Sequence, residues 1–218
     1  MALDPVTSDE LRLDRRQLLV LGRLATPPDG DAEAVRDPTR PDVRVTAPVP
    51  EEIDSLRAAG LIDGDQPHPN VAALAAAVAD PVVRLVIERV APPPAVRCPG
   101  WISSSVAVLA LPQPQGPDKI LAVPVSELVL HLAALISLGP RLPAATPPAP
   151  AQIRLSFRIS ASWYGPGGVP TERRVSGADA GEEGWWLEEA GTGELAPVSA
   201  TTVFRHLTTL LPDDAELG

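Results

Sequence analysis

The chain has 218 residues, of which 44% are apolar, and its 28 acidic residues against 18 basic ones give a formal charge of −10. This length suits one large domain or two smaller halves that share a core. A negative field disfavours nonspecific attraction to nucleic acid or anionic lipid. Cys98 is the single cysteine, so no internal disulfide is expected, and the N-terminus has no signal-peptide pattern. The longest apolar run, Leu128 to Leu138, is shorter than the roughly 20 residues of a membrane span. We therefore expect a cytoplasmic protein with no membrane span.

The N-terminal region predicts one helix and one long loop. Thr7 and Glu10 have the spacing of a capping box, and leucines recur at helical spacing behind them, which predicts a helix over residues 8–24. Residues 26–49 are rich in Pro and Asp, so they predict a surface loop that holds an edge strand near Val43 and Val45.

The next segment predicts two short helices and a turn. Pro50 suits a first helical turn, and the helix that follows ends at Gly60. Asp63-Gly64-Asp65 has turn composition, and Asn70 is the expected cap of a second helix over Val71–Ala79.

Strand patterns begin after this helix. The first half contains an amphipathic strand, a hairpin with an open tip, and a helix that is apolar nearly all round and should be buried on more than one side. The second half opens on a cleanly alternating strand and ends in a helix, with a mobile loop and a short hairpin between them. The predicted elements are strands at 83–88, 106–111 and 120–123, the tip at 112–118, the helix at 126–138, the strand at 153–159, turns at 165–168, the loop at 175–184, the hairpin strands at 185–189 and 194–198, and the last helix from 199 or 200 to 211.

These elements predict an α+β fold with a central, mostly antiparallel sheet flanked by helices, arranged in two quasi-symmetric halves. We expect an N-terminal helix and loop over residues 1–49, a first half over 50–139, and a second half over 152–218 that shares the same core. A Pro-rich and Gly-rich linker separates the halves.

No motif of catalysis or metal binding is visible. Cys98 has no histidine nearby in sequence, and His68, His131 and His206 are far apart, without metal-ligand spacing. Asp63-Gly64-Asp65 lacks the alternating ligands and the closing Glu of a calcium loop. The sequence therefore predicts no enzyme, no cofactor and no metal.

A winged-helix DNA-binding regulator is the alternative, because short helices precede a strand pair between residues 50 and 124. The helix that would enter the groove, Val71–Ala79, has no side chain that contacts a phosphate or reads a base edge. Arginines on the first helix could still form a basic face; these are Arg12, Arg15, Arg16 and Arg23.

The order of these segments resembles a known family. Leu56–Asp65, an Ala-rich helix, Asp80-Pro81, the strands and helix up to Leu138-Gly139-Pro140, and the final helix Thr202–Leu211 are similar to the EspG family of type VII (ESX) secretion chaperones from actinobacteria, as a shortened or divergent member. The resemblance implies a non-catalytic, cytosolic adaptor that shields a helical, PE/PPE-like secretion substrate.

A protein-binding role directs attention to scarce aromatic residues and exposed loops, since binding hot spots favour Trp, Tyr and Arg. Whether each Trp lies at an interface or in the core is open, and so is whether a homodimer forms. The expected partner-binding residues are the hairpin tip Pro112, Gln113, Pro114 and Gln115, together with Trp163, Tyr164, Trp185 and Trp186.

Overall fold

The computed structural model describes residues 11–26, 35–91, 95–141, 149, 152–189 and 192–217. Within these residues it has five α-helices, one nine-stranded antiparallel sheet and two two-stranded sheets, which confirms the predicted α+β class. The chain divides into two compact units: unit 1 is Met1–Arg84 with Cys98–Val125, and unit 2 is Leu85–Arg97 with Ser126–Gly218. The domain limits expected from the sequence, and the quasi-symmetry of the halves, stay predictions.

Unit 1 carries three helices and the small sheets. Its strands of the large sheet are hydrogen-bonded in the order β1-β9-β8-β7. The elements, in chain order, are β1 (Arg12–Leu13), α1 (Arg15–Ala25), β2 (Val35–Asp37), β3 (Arg40–Val45), α2 (Pro50–Ala58), β4 (Ile62–Asp63), β5 (Gln66–Pro67), α3 (Pro69–Ala79), β6 (Val83–Ala91), β7 (Val96–Ile102), β8 (Val106–Leu111) and β9 (Asp118–Pro124), with most of β6 and the first residues of β7 belonging to unit 2.

Unit 2 carries two helices and the longest hairpin. Its strands are hydrogen-bonded in the order β6-β10-β11-β12-β13. Its further elements are α4 (Leu128–Leu135), β10 (Leu155–Gly165), β11 (Val169–Asp179), β12 (Trp185–Glu188), β13 (Leu195–Val198) and α5 (Ala200–Thr208).

Helix α1 begins later than the sequence predicted. Asp14 and Gln17 form its capping box: the Asp14 side chain accepts a hydrogen bond from the Gln17 backbone N–H at 2.7 Å, and the Gln17 side chain accepts from the Asp14 N–H at 3.0 Å. The two residues before Asp14 are held in β1 by pairing with β9. The predicted box of Thr7 and Glu10 lies outside the described residues.

The core of unit 1 lies between α1, α3 and β8. Helix α1 buries four consecutive apolar residues, and α3 packs on both α1 and β8. Gly22 allows the close approach of α1 to α3, since a Cβ at this position would lie 2.7 Å from Val78 Cγ1. The buried α1 residues are Leu18, Leu19, Val20 and Leu21.

Two further expectations in unit 1 are corrected. The region predicted as a loop with an edge strand contains a complete hairpin, β2 with β3. The N-cap of α3 is His68 and not Asn70, because the His68 imidazole Nδ1 accepts a hydrogen bond from the Asn70 backbone N–H at 3.3 Å. The turn predicted at Asp63-Gly64-Asp65 is present and joins β4 to β5, with Gly64 at a φ of 59°.

Arg15 joins three elements of unit 1. Its guanidinium donates to Asp37 Oδ2 of β2 at 2.8 Å and to Asp118 Oδ2 of β9 at 2.7 Å. Asp37 is fully buried, and it also accepts hydrogen bonds from the backbone N–H and hydroxyl of Thr39. Because a buried carboxylate is stable only when paired and hydrogen-bonded, Arg15 fixes the β2–β3 hairpin against α1.

In unit 2, β10 and β11 form a hairpin of eleven-residue strands paired from Leu155 with Asp179 to Gly165 with Val169. The alternation predicted over residues 153–159 is present and extends to Gly165, and residues 165–168 form the predicted turn. The prediction of a loop from Val175 is wrong, since β11 continues to Asp179. Strand β7 was also missed, because its Cys-Pro-Gly composition is typical of a turn.

Helix α4 is shorter and more exposed than predicted. Within the helix only Leu128 and Leu132 are buried, whereas Leu130 is 60% exposed. The expectation that it is buried on more than one side is therefore wrong. Helix α5 is its packing partner, and Ser199 caps α5 by accepting from the Thr202 N–H.

Candidate partner-binding surfaces

Three of the four tryptophans lie in the core of unit 2, although the sequence predicted them at a partner surface. Trp163, Trp185 and Trp186 are at most 3% exposed. The Trp185 indole N–H donates to the Gly139 carbonyl at 2.8 Å, and that of Trp186 donates to the Glu183 carbonyl at 2.8 Å. Trp185 and Trp186, buried with their N–H groups satisfied inside the unit, are core residues. Trp163 is buried as well, so none of the three offers a surface in this structure.

Tyr164 is the predicted aromatic that stays exposed. Its side chain is 62% exposed at the end of β10, where it is paired across the hairpin with Pro170. Val169, which the sequence did not single out, is 59% exposed on the opposite face, because it pairs with Gly165 and side chains alternate along a strand. The end of this hairpin, residues 164–170, is apolar on both faces, and we call it the hairpin tip.

The predicted contact loop in unit 1 connects β8 to β9. Pro112 and Gln113 are half-buried, and the Gln113 amide donates back to the Leu111 carbonyl at 3.1 Å. Pro114 and Gln115 are exposed. The loop is thus accessible only through its second half.

An apolar pocket of about 250 Å³ lies in unit 1, and no sequence motif predicted it. It opens beside the N-terminal end of α3 and over strands β8 and β9. Asn70 and Ser105 bring polar groups to a lining that is otherwise mostly apolar, with Leu11, Val71, Leu74, Val106, Ile120 and Ala122 among its residues.

A second, polar cleft of about 630 Å³ lies in unit 2 between β11, α5 and the segment after α5. Arg173 and His206 contribute basic or titratable groups, and Asp213 and Glu216 contribute carboxylates. His206 is exposed on α5. The basic residues Arg173 and Arg174 could have indicated a charged site in the sequence. The sequence did not predict that they lie in a strand.

The candidate catalytic and metal-binding residues do not converge. In the described parts of the chain, no group of three His, Cys, Asp or Glu side chains could hold a metal ion. His68 caps α3, His131 is half-buried on α4, and Cys98 is buried in β7.

The arginines of α1 bind other residues of unit 1. Arg15 pairs with Asp37 and Asp118, Arg16 with Glu52, and Arg23 donates to the Thr46 carbonyl at 2.8 Å. Helix α3, the candidate recognition helix, buries five of its residues. The DNA-binding alternative stays a prediction.

Among the described residues, the carboxyl group of Glu52 has a lowered pKa. Burial raises the pKa of Glu52, but the hydrogen bond from Arg16, the backbone N–H of Val49 and the positive charge of Arg16 together lower it below its ordinary value of 4.5. The Arg16 Nε to Glu52 Oε1 distance is 2.5 Å, and Glu52 Oε2 accepts from Val49 at 3.0 Å. This ion pair joins α1 to the first turn of α2.

No protein-family model matches the chain, and no curated protein matches it in sequence. None of the helices that the structure describes has the length and apolar character needed to cross a bilayer.

Proposed function

We propose that the chain is a non-catalytic protein-binding chaperone or adaptor of the EspG-like kind. In this proposal it acts in the cytosol and shields a helical, PE/PPE-like substrate of type VII secretion. The observation that carries the binding role is the hairpin tip, where Tyr164 and Val169 expose 62% and 59% of their surfaces at the end of the longest hairpin.

The tip is suited to binding because it is both apolar and rigid. Continuous pairing along β10 and β11 fixes the backbone that presents Tyr164 and Val169, so ordering this surface on association costs little entropy. Tyrosine is enriched among binding hot spots, since its ring gives a large contact area and its hydroxyl keeps a polar partner. An apolar helical surface is a partner that such a tip would fit.

The loop over residues 112–115 is the second proposed contact. Its two prolines restrict the free backbone, which reduces the ordering cost of binding. Only Pro114 and Gln115 are accessible, so we expect them to contribute more than Pro112 and Gln113.

The test is direct binding to a purified PE/PPE-like helical pair encoded beside the chain's own gene, measured by calorimetry. The double variant Y164S/V169S should weaken binding at least about tenfold, because truncated hot spots cost about 2 kcal/mol or more. L130S is the matched control, since Leu130 is equally exposed in unit 2 but lies on α4. Binding that is absent with the wild-type chain, or unchanged in Y164S/V169S, contradicts the proposal.

A further inference from the structure

The polar cleft of unit 2 has an uneven distribution of charge. The walls formed by β11 and α5 contribute Arg173 and His206, whereas the side chain of Arg174, the next residue along β11, lies on the other face of the strand. Both carboxylates that line the cleft, Asp213 and Glu216, come instead from the segment that follows α5. Residues 213–216, which we call the acidic turn, thus place an acidic segment in a site whose other charged or titratable lining groups are basic.

The acidic turn is bonded mainly to itself. The Asp213 N–H donates to Glu216 Oε2 at 3.0 Å, and the Ala215 and Glu216 N–H groups donate to Asp213 Oδ1 at 3.0 and 3.2 Å. Arg173 makes the ion pair that joins it to β11, through Glu216. The Glu216 carbonyl also lies near Gly165, where a Cβ would be 3.5 Å from it.

Contacts other than the ion pair with Glu216 also hold the Arg173 guanidinium in place. Its Nη1 donates to the carbonyls of Thr209 and Leu211, both at 3.1 Å, and its guanidinium lies over the ring of Trp163. The second terminal nitrogen, Nη2, is then directed at Glu216. A guanidinium held in this way is an oriented carboxylate receptor, because its geometry does not have to be ordered on binding.

We propose that this cleft binds an acidic peptide segment of a partner protein, and that the acidic turn occupies it as an internal competitor. The partner's carboxylate takes the place of Glu216 on Arg173, and His206 of α5 lines the same cleft. The inference does not depend on the proposed chaperone role, and neither Tyr164 nor Val169 lines this cleft.

An internal competitor weakens external binding by a predictable amount. Because the acidic turn is tethered to α5 in the same chain, its effective concentration at the cleft is in the millimolar range. An external peptide of similar intrinsic affinity therefore competes well only at millimolar concentrations. For an intrinsic dissociation constant of about 0.1 mM, removing the competitor raises the apparent affinity about tenfold.

The experiment uses the full chain and a fluorescein-labelled peptide, Pro-Asp-Asp-Ala-Glu-Leu, which copies residues 212–217. Fluorescence anisotropy should show about tenfold tighter binding to D213N/E216Q than to the wild type. The affinity should fall with added salt, because the contact is ionic. The peptide Pro-Asn-Asn-Ala-Gln-Leu should bind neither protein.

Two controls separate this site from general charge effects. D214N/E194Q changes the net charge equally, but neither residue lines the cleft, so its peptide affinity should equal that of the wild type. Adding Arg173→Met to D213N/E216Q should remove binding, and circular dichroism checks that each variant is folded. A folded D213N/E216Q that binds no more tightly than the wild type overturns the inference, whereas loss of partner binding in Y164S/V169S alone bears only on the hairpin tip.

Discussion

The guanidinium carbon of Arg173 lies 5.2 Å from the ring centroid of Trp163, and the same guanidinium bonds the backbone after α5. These two residues are on neighbouring strands of one hairpin, on the face that buries Trp163. Arg173 therefore both covers the Trp163 ring and holds the segment after α5 in place.

Replacing Arg173 by Met should lower the free energy of unfolding by about 1–2 kcal/mol, because hydrogen bonds from a charged group and the cation–π contact are lost together. Urea denaturation followed by circular dichroism measures the change. Arg173→Lys is the matched control, and it should recover only part of the loss, since an ammonium cannot span both carbonyls and Glu216. Equal stability of Arg173→Met and the wild type would exclude this role.

The buried position of Trp185 predicts a large effect on folding. Trp185→Ala should cost about 3–5 kcal/mol, because it removes a fully buried ring that contacts Phe157 edge-on, with centroids 6.4 Å apart. Tyr164→Ala, at the exposed hairpin tip, should leave the urea midpoint nearly unchanged. If the two variants were equally stable, the assignment of Trp185 to the core would be wrong.

Helices α1 and α3 approach each other at Gly22 too closely for a larger side chain at this position. Gly22→Ala should destabilise by about 1 kcal/mol or more despite the higher helix propensity of alanine, because the new methyl group meets Val78 and the Ala79 backbone. Gly139→Ala is the control, since the nearest atoms to its added Cβ are 3.9 Å away. Thermal denaturation measures both, and a stabilised Gly22→Ala contradicts close packing at this site.

The ion pairs of Arg15 predict that Asp37 contributes more to the free energy of unfolding than an exposed carboxylate does. Asp37→Ala should cost about 3 kcal/mol, because it leaves part of a buried ion pair and two Thr39 donors unpaired. Asp65, whose side chain is 84% exposed at 3.8 Å from Arg57, offers the matched Asp65→Ala control with little expected change. Chemical denaturation of both variants decides between these outcomes.

The lowered pKa of Glu52 predicts a pH-dependent stability. A carboxyl group whose pKa is lower in the folded state binds fewer protons there, so its contribution is complete above the unfolded value near 4.5 and is lost as the pH falls through the folded value. Glu52→Gln should therefore be less stable than the wild type at pH 7, and the difference should shrink as the pH falls below 4.5. Parallel urea titrations at several pH values test this, and a difference that does not vary with pH would contradict it.

Sequence patterns located the first part of β10 and several other elements. Alternation in β10 and the apolar run of β8 match the structure because each reflects burial of one or both strand faces. Strand β11 was missed, since its Arg-rich and Gly-containing sequence shows little alternation and is held by pairing with β10. Helix α1 was extended too far toward the N-terminus, because periodicity does not reveal that Arg12 and Leu13 pair with β9.

The sequence by itself determined the α+β class and the apolar strands, and it placed Tyr164 among the expected partner-binding residues. Only the tertiary structure decided that Trp163, Trp185 and Trp186 are core residues, because composition cannot show whether an aromatic ring beside a glycine faces a packed layer or solvent. It also decided that Arg173 and His206 share one cleft with Asp213 and Glu216. Strand β11, which carries Arg173, is distant in sequence from α5 and the segment after it, and only their packing brings these charges together.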